Sequence, residues 1–301
     1  MVDFRILGSL EALDGQRAIP LGGGRQRAVL AILLIHRGAV VSVDRIVDLL
    51  WGERAPDTAA KTVQVYVSRL RKALGEGLLL TRGGGYVLEL APEQLDAERF
   101  EQAVSAAREE LGRGEVAAAR DLLRDALGLW RGPPLADFTY EDFARDEIDR
   151  LWELRLAALE ERIEADLALG HHAELVPELE RLVRENPTRE RLRRQLMLAL
   201  YRSGRQAEAL ETYRDAQRAL DEELGLEPSP ELRELERAIL AQDPAIAGSA
   251  PPRRLPTIRE RRRGGALIAL GGAGLLAVLL AAVLFGGDER EIGRASCRER
   301  V

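Results

Sequence analysis

One stretch of the chain, residues 61–74, alternates apolar and polar positions with the period of an α-helix. Positions three and four apart share a helix face, so a single apolar stripe predicts an amphipathic helix with one buried side. The stripe consists of Val63, Tyr66, Val67, Leu70 and Leu74. The opposite face and its flanks are cationic and hydrogen-bonding, and they comprise Lys61, Gln64, Val65, Ser68, Arg69, Arg71 and Lys72.

Shorter apolar runs on both sides of this helix complete an ordered set of elements. Before it, Ser42 and Asp44 can cap a helix that stops at Gly52. After it, two apolar runs flank a glycine-rich segment around Arg82, as in a β-hairpin with a flexible tip. Helix, turn, helix and hairpin in this order predict a winged helix-turn-helix, with the hairpin as the wing.

The residues that precede this unit predict the rest of the domain. An alternating run over residues 4–13 with a turn at Asp14 indicates a small sheet. Three glycines at 22–24 then open an apolar helix. Free backbone N–H groups at that helix start, together with Arg25 and Arg27, can hold a phosphate.

The outer face of the 61–74 helix has the chemistry needed to read DNA. Glutamine can pair with adenine, lysine and arginine with guanine or phosphate, and an outward valine with a thymine methyl group. Arg82 supplies the wing with a charge for a phosphate or a minor-groove wall. A solvated surface helix would carry similar charges, and the outward Val65 argues against that alternative.

From residue 95 onward the pattern is helical almost throughout, with breaks at glycines and prolines. Segments that begin at Gly170 and Gly204 align 34 residues apart, the length of a tetratricopeptide repeat. An earlier unit opens similarly at Gly114. Stacked helix pairs share a core and leave a concave face, which binds a protein or peptide. The alternative is that the array only supports dimerisation or the position of the DNA-binding domain. The predicted fold class is therefore mainly α with a small β component.

Charge and residue counts refine this prediction. The net charge is −6, yet residues 1–90 contain twelve lysines and arginines against nine acidic residues, so the amino-terminal module suits a polyanion. His171 and His172 lack the further ligands of a metal site, since the chain holds three histidines and one cysteine. The sequence also contains no catalytic triad and no phosphate-binding loop. We therefore expect neither an enzyme nor a cofactor or metal.

Several short motifs are specific when taken together. They are Gly23-Gly24-Arg25-Gln26-Arg27, Val41-Ser42-Val43-Asp44-Arg45, Leu50-Trp51-Gly52, Val65-Tyr66-Val67-Ser68-Arg69-Leu70-Arg71 and Leu129-Trp130-Arg131-Gly132-Pro133-Pro134-Leu135. On these motifs, residues 1–240 resemble the Streptomyces antibiotic regulatory protein family. The resemblance implies an OmpR-type winged helix joined to a bacterial transcriptional activation domain.

The resemblance also implies two macromolecular partners. The winged helix is implied to bind direct repeats of double-stranded DNA upstream of promoters, and the loop between its last two helices is implied to face RNA polymerase. That loop runs from Trp51 to Thr58, and its candidate contact residues are Trp51, Glu53, Arg54 and Asp57. Together these implications favour a transcriptional activator.

Beyond residue 243 the composition changes to a basic linker over residues 244–263. Residues 264–287 contain no charged side chain and are long enough to cross a bilayer, which predicts a single transmembrane helix. Arginines before it would place residues 1–263 in the cytoplasm and the protein at the cell membrane. Within the tail 288–301, residues 291–301 resemble a translated sequencing adapter, so we expect the native sequence to continue past residue 288.

The predicted organisation is thus a winged helix at 1–91, a tetratricopeptide-like activation domain at 92–243, and the linker, transmembrane helix and tail. The leading hypothesis is a membrane-tethered, sequence-specific transcriptional regulator, compatible with a homodimer on its DNA repeats. The alternative is a membrane-anchored scaffold whose helical array recruits proteins and whose winged helix does not bind DNA. The cationic face of the recognition helix favours the first hypothesis.

Overall fold

The amino terminus folds as a small antiparallel sheet with a tight turn. A computed structural model describes residues 1–247 of the 301. The strands are β1 (Val2–Arg5), β2 (Glu11–Asp14) and β3 (Arg17–Ala18). They pair in the order β1-β2-β3, with Phe4 opposite Ala12 and Leu13 opposite Ala18. The predicted sheet and its turn after Asp14 are therefore confirmed.

Three helices and a hairpin follow, in the order that the hydrophobic pattern predicts. The helices are α1 (Gly24–Ile35), α2 (Val43–Trp51) and α3 (Ala59–Leu74). The strands are β4 (Val41–Ser42), β5 (Leu79–Arg82) and β6 (Gly85–Leu88), which form a second sheet in the order β4-β6-β5. Ser42 caps α2, because its hydroxyl accepts a hydrogen bond of 3.1 Å from the backbone N–H of Arg45.

The wing hairpin depends on glycines at its tip and at the start of β6. Gly83 and Gly84 both have positive φ, 54° and 81°, a combination that a two-residue hairpin turn requires and that a Cβ disfavours. At Gly85 the strand passes so close to β4 that a Cβ would lie 2.2 Å from the carbonyl oxygen of Val41. The base of the wing is therefore fixed against β4.

Seven α-helices make up most of the remaining described chain. They are α4 (Asp96–Arg113), α5 (Val116–Leu127), α6 (Asp142–Ala168), α7 (His172–Glu185), α8 (Glu190–Arg202), α9 (Gln206–Leu224) and α10 (Pro230–Leu240). Short 3₁₀ helices lie at Gly52–Arg54, Pro92–Gln94 and Ala136–Phe138. Helices α7 and α9 begin 34 residues apart, as the repeat spacing predicts. The fold is mainly helical, with a winged helix followed by a helical repeat-like domain.

Two hydrophobic cores support these elements, and the first crosses the domain boundary. It joins Phe4 and Leu70 of the winged helix to Phe100 of α4 and Leu151 of α6. The second core lies within α6 to α10, around Met197. Because the winged helix and the first helices of the activation domain share one interior, separating them would expose apolar surface to water.

The activation domain also completes the chain between β1 and β2. Residues 6–10 lie outside the strand pairs, so their backbone groups need other partners. The carboxylate of Asp96, at the start of α4, accepts the backbone N–H groups of Ile6 and Leu7 at 2.8 and 3.0 Å. Asp96 is 1% exposed, and burial raises its pKa against the opposing effect of the two N–H groups.

The loop between α5 and α6 provides further partners for the same segment. The backbone N–H of Arg131 donates to the carbonyl of Leu7, and that of Leu135 to the carbonyl of Ile6, each at 2.8 Å. The side chain of Arg131 reaches Asp96, with 3.5 Å between nitrogen and oxygen. The Asp96 carboxylate of α4 and the backbone N–H groups of this loop therefore fix the amino-terminal segment on two sides.

The predicted transmembrane helix has no counterpart in the described structure. Within residues 1–247, no helix is long and apolar enough to span a bilayer. The apolar run 264–287 and the tail 288–301 lie outside the described residues, as does most of the linker 244–263. The structure therefore supplies no support for the membrane part of the predicted fold class.

We expect Asp96→Asn to lower the free energy of unfolding by about 1–3 kcal/mol, because its amide nitrogen would face a backbone N–H and leave it unsatisfied. Glu93→Gln makes the same chemical change at an exposed position three residues earlier and should cost less than about 0.5 kcal/mol. Urea unfolding followed by circular dichroism measures both values. Equal losses in the two variants would contradict the role given to Asp96.

Candidate nucleic-acid interface

The outer face of α3 is exposed and its inner face is buried, as the periodicity predicts. Val63, Val67 and Leu70 are at most 1% exposed. The residues that remain exposed along the helix are Lys61, Gln64, Val65, Ser68, Arg69 and Lys72. Val65 is 46% exposed, so an apolar contact surface lies among cationic and hydrogen-bonding groups. This combination matches the edges of base pairs in the major groove.

Arg71 differs from its neighbours, because it is half-buried and contacts the wing. Its Nε donates to the carbonyl of Leu79 at 2.8 Å and its Nη2 to the hydroxyl of Thr81 at 2.6 Å. The guanidinium also lies over the ring of Tyr86, 5.8 Å from the centroid. Arg71 therefore holds the wing against α3, and a direct contact of this residue with DNA stays a prediction.

Arg82 lies at the end of β5, beside the tip of the wing. Its Nη2 forms an ion pair of 2.7 Å with Glu89, and its side chain is 58% exposed. An exposed pair of this kind is weak, so a phosphate can replace the carboxylate at little cost. The wing thus presents one cation that is neutralised in the free protein.

Arg25 and Arg27, which the sequence predicts to hold a phosphate together at the start of α1, have different surroundings. Arg25 is exposed, and its guanidinium lies over the ring of Trp51, 5.1 Å from the centroid. Arg27 lies at the domain boundary, where its Nη2 donates to Asp137 of the activation domain at 2.6 Å and to the carbonyl of Leu10 in the amino-terminal segment at 2.8 Å. Arg25 is therefore available to a phosphate, whereas Arg27 is engaged in the domain boundary.

Gln26, between these two arginines, has a role that the sequence analysis missed. It is 6% exposed, and its amide nitrogen donates to the carbonyl of Leu21 at 3.0 Å. A Cβ at Gly22 would lie 2.6 Å from that amide nitrogen, so a side chain at position 22 would displace the amide of Gln26. Gln26 therefore stabilises the turn before α1 through a buried hydrogen bond. The sequence feature that could have predicted this role is a glutamine on the apolar side of the helix.

The loop predicted to face RNA polymerase projects from the winged helix between α2 and α3. Glu53, Arg54 and Asp57 are exposed. Trp51 is half-buried, and it packs against the first core under the guanidinium of Arg25. Trp51 therefore anchors the start of a loop whose charged side chains are exposed.

Two protein families match the chain, one on each domain. The family described as "Transcriptional regulatory protein, C terminal" matches residues 17–88, and "Bacterial transcriptional activator domain" matches residues 95–240. The regulatory protein DnrI of Streptomyces peucetius is 38% identical over 261 residues, which cover 83% of this chain and 96% of DnrI. The chain belongs to the Streptomyces antibiotic regulatory protein family. Members of this family are transcriptional regulators.

Two further relatives of this family member extend the comparison. The regulatory protein AfsR of Streptomyces coelicolor is 46% identical over 245 residues, which are 81% of this chain but 25% of AfsR. The chain therefore spans about a quarter of the length of AfsR. The solved structure "Mycobacterium tuberculosis EmbR in complex with low affinity phosphopeptide" has a TM-score of 0.78 and 35% identity, covering 82% of this chain and 68% of that one.

These findings correct the predicted membrane localisation, which is wrong. The relatives AfsR, DnrI and EmbR are regulatory or transcriptional regulatory proteins, and the matched families end at residue 240. The prediction depended only on the length and lack of charge of residues 264–287, a run outside the described residues. Both properties are common in bilayer-spanning helices, but they do not identify one.

Proposed function

We propose that this family member is a sequence-specific DNA-binding transcriptional activator and not an enzyme. The observation that carries the proposal is the exposed outer face of α3, where Val65 lies among cationic and amide side chains. Its place as the second helix of a helix-turn-helix, directly before a glycine-tipped wing, fits insertion into a major groove. The family and the regulator DnrI support the same conclusion.

The exposed residues divide by chemistry into readers and positioners. Gln64 and Lys61 can form hydrogen bonds to base edges, and Val65 can contact a thymine methyl group. Arg69, Lys72, Arg82 and Arg25 carry the charges that fix the domain on the phosphate backbone. Arg71 contributes indirectly, because it sets the distance between α3 and the wing.

The activator role includes a contact between the α2–α3 loop and RNA polymerase. Glu53, Arg54 and Asp57 are exposed and sit beside the anchored Trp51. Because the exposed loop residues are distinct from the exposed α3 residues proposed to contact DNA, a DNA-bound protein can keep the loop free for a second partner. Binding to direct repeats would bring two copies together on DNA, and a homodimer stays a prediction.

We expect the affinity for duplex DNA to fall steeply with salt, since each neutralised phosphate adds about 0.9 to the slope of log affinity against log salt concentration. Fluorescence anisotropy with a duplex selected from random sequences measures this slope. Arg69→Gln should reduce it by about 0.9. Arg184→Gln, on the exposed surface of α7, should leave it unchanged. No measurable binding, or an affinity that does not change with salt, would contradict binding through these phosphate contacts.

A second prediction separates readers from positioners. Gln64→Ala and Lys61→Ala should reduce discrimination between the selected and a scrambled site, because a good base contact is worth about 1–3 kcal/mol. Arg82→Ala should weaken binding to both sites equally, since a phosphate contact carries no sequence information. Unchanged preference in both the Gln64 and Lys61 variants would mean that another face of α3 meets the bases.

A third prediction concerns the polymerase contact. Arg54→Ala and Glu53→Ala should keep the affinity for DNA but reduce transcription from a template carrying the selected site roughly fivefold, as for the loss of about 1 kcal/mol at an interface. Multi-round transcription with purified RNA polymerase measures the effect. Glu93→Ala, exposed outside the loop, serves as the control. Wild-type transcription by both loop variants would remove the loop from the activation mechanism.

A further inference from the structure

The amino-terminal sheet places a cation beside the end of α3. Arg17 begins β3, directly after the turn that follows β2, and it is exposed. It lines a surface hollow together with Lys72 and Leu74 in the last turn of α3 and with Gly75, where the helix ends. Two cations that are far apart in the sequence therefore border the same hollow.

No carboxylate of the described chain neutralises these two cations. Asp14 also lines the hollow, but it pairs with the amino group of Met1 at 3.2 Å. Glu76, one turn beyond Lys72, borders a different hollow on the wing side of α3. Among residues 1–247 neither Arg17 nor Lys72 forms an ion pair. Both charges are therefore free to bind an anion.

Lys72 connects this hollow to the proposed DNA-binding face. Lys61, Val65, Ser68 and Lys72 follow one another at spacings of three or four residues, so they lie along one side of α3. All four are exposed. A duplex bound along this side therefore extends to the last turn of the helix, where Lys72 borders the hollow that Arg17 also lines.

The wing lies on the other flank of the same helix end. Lys72 also borders a hollow formed with Leu80 and Thr81 of the wing. The end of α3 thus has a hairpin on each flank, and each hairpin carries an exposed arginine, Arg82 on the wing and Arg17 on the amino-terminal sheet. A helix of about 10–12 Å diameter fills a major groove of about 12 Å, so one phosphate backbone lies on each side of it.

We propose that Arg17 is a phosphate-binding residue that anchors the amino-terminal sheet on the DNA strand opposite the one bound by the wing. This inference rests on the proposed function, since it adds a contact to the same DNA-binding surface. The guanidinium of Arg17 would pair with a phosphate across the groove from the phosphate bound by Arg82. Anchors on both sides would fix the rotation of α3 in the groove, and with it the direction in which Gln64 faces the bases.

The first test is the salt dependence of DNA binding by the whole chain. Arg17→Gln keeps a long polar side chain and should reduce the slope of log affinity against log salt concentration by about 0.9. Between 50 and 200 mM salt, the parent should therefore lose about 3.5-fold more affinity than this variant. Arg17→Lys should keep the slope of the parent. Arg214→Gln, which removes an exposed arginine of α9, is the matched control and should also keep it.

The second test locates the phosphate. Phosphates of the selected duplex are replaced one at a time by neutral methylphosphonate groups, and affinity is measured by fluorescence anisotropy. We expect one position at which the replacement weakens binding of the parent but not of Arg17→Gln. The same scan with Arg82→Ala should identify a position on the other strand. Circular dichroism checks that each variant is folded, and Arg17→Thr, which suits a strand, replaces Arg17→Gln if that variant does not fold.

Three results would overturn the inference: equal salt slopes for Arg17→Gln and Arg214→Gln, no phosphate whose replacement distinguishes Arg17→Gln from the parent, or coupling of Arg17 and Arg82 to the same strand. If the parent binds the duplex with a steep salt dependence and one of these results is found, this inference fails and the proposed function stands. If the parent does not bind duplex DNA, both fail.

Discussion

The position of the winged helix depends on one requirement, that the backbone of residues 6–10 be hydrogen-bonded away from water. Strand pairing does not satisfy these groups, and the activation domain does so through Asp96, Arg131 and Leu135. A hydrophobic core that continues from β1 to α6 encloses the same contacts. Each domain supplies hydrogen-bond partners to the other, and each would expose part of the shared core to water if it stood alone.

Periodicity was sufficient to predict the elements whose information is local. The stripe of α3, the cap at Ser42, the glycine tip of the wing and the repeat spacing each depend on residues close together in the chain. Partners of the site residues are not local. Arg27 pairs with Asp137, 110 residues away. Arg71 bonds to Thr81 of the wing, and helical periodicity does not predict how close the wing lies to α3. The apolar run 264–287 was interpreted as a transmembrane helix from its length and lack of charge alone. These are local properties, whereas membrane insertion also depends on the rest of the protein.

The cations of the amino-terminal domain fall into two groups that composition cannot separate. Arg27 and Arg71 form hydrogen bonds within the protein, Arg27 at the domain boundary and Arg71 beneath the wing. Lys61, Arg69 and Lys72 remain on the exposed face of α3. A modest surplus of positive charge in the first ninety residues therefore underestimates how strongly the charge is concentrated on the surface proposed to face DNA.

The shared core of the two domains has a consequence for promoter architecture. A DNA-binding module on a flexible tether can place its effector on any side of the double helix, but in this protein one hydrophobic core joins the winged helix directly to the first helices of the activation domain. If the winged helix binds DNA as proposed, the helical domain would keep one orientation relative to the site, and the direction in which it points would turn once around the duplex for every ~10.5 base pairs that the site is moved, which is one helical turn. Moving the DNA site by half a helical turn would place the helical domain on the opposite side of the DNA. The effect of spacing on transcription should therefore follow the helical repeat of the DNA and not the distance alone.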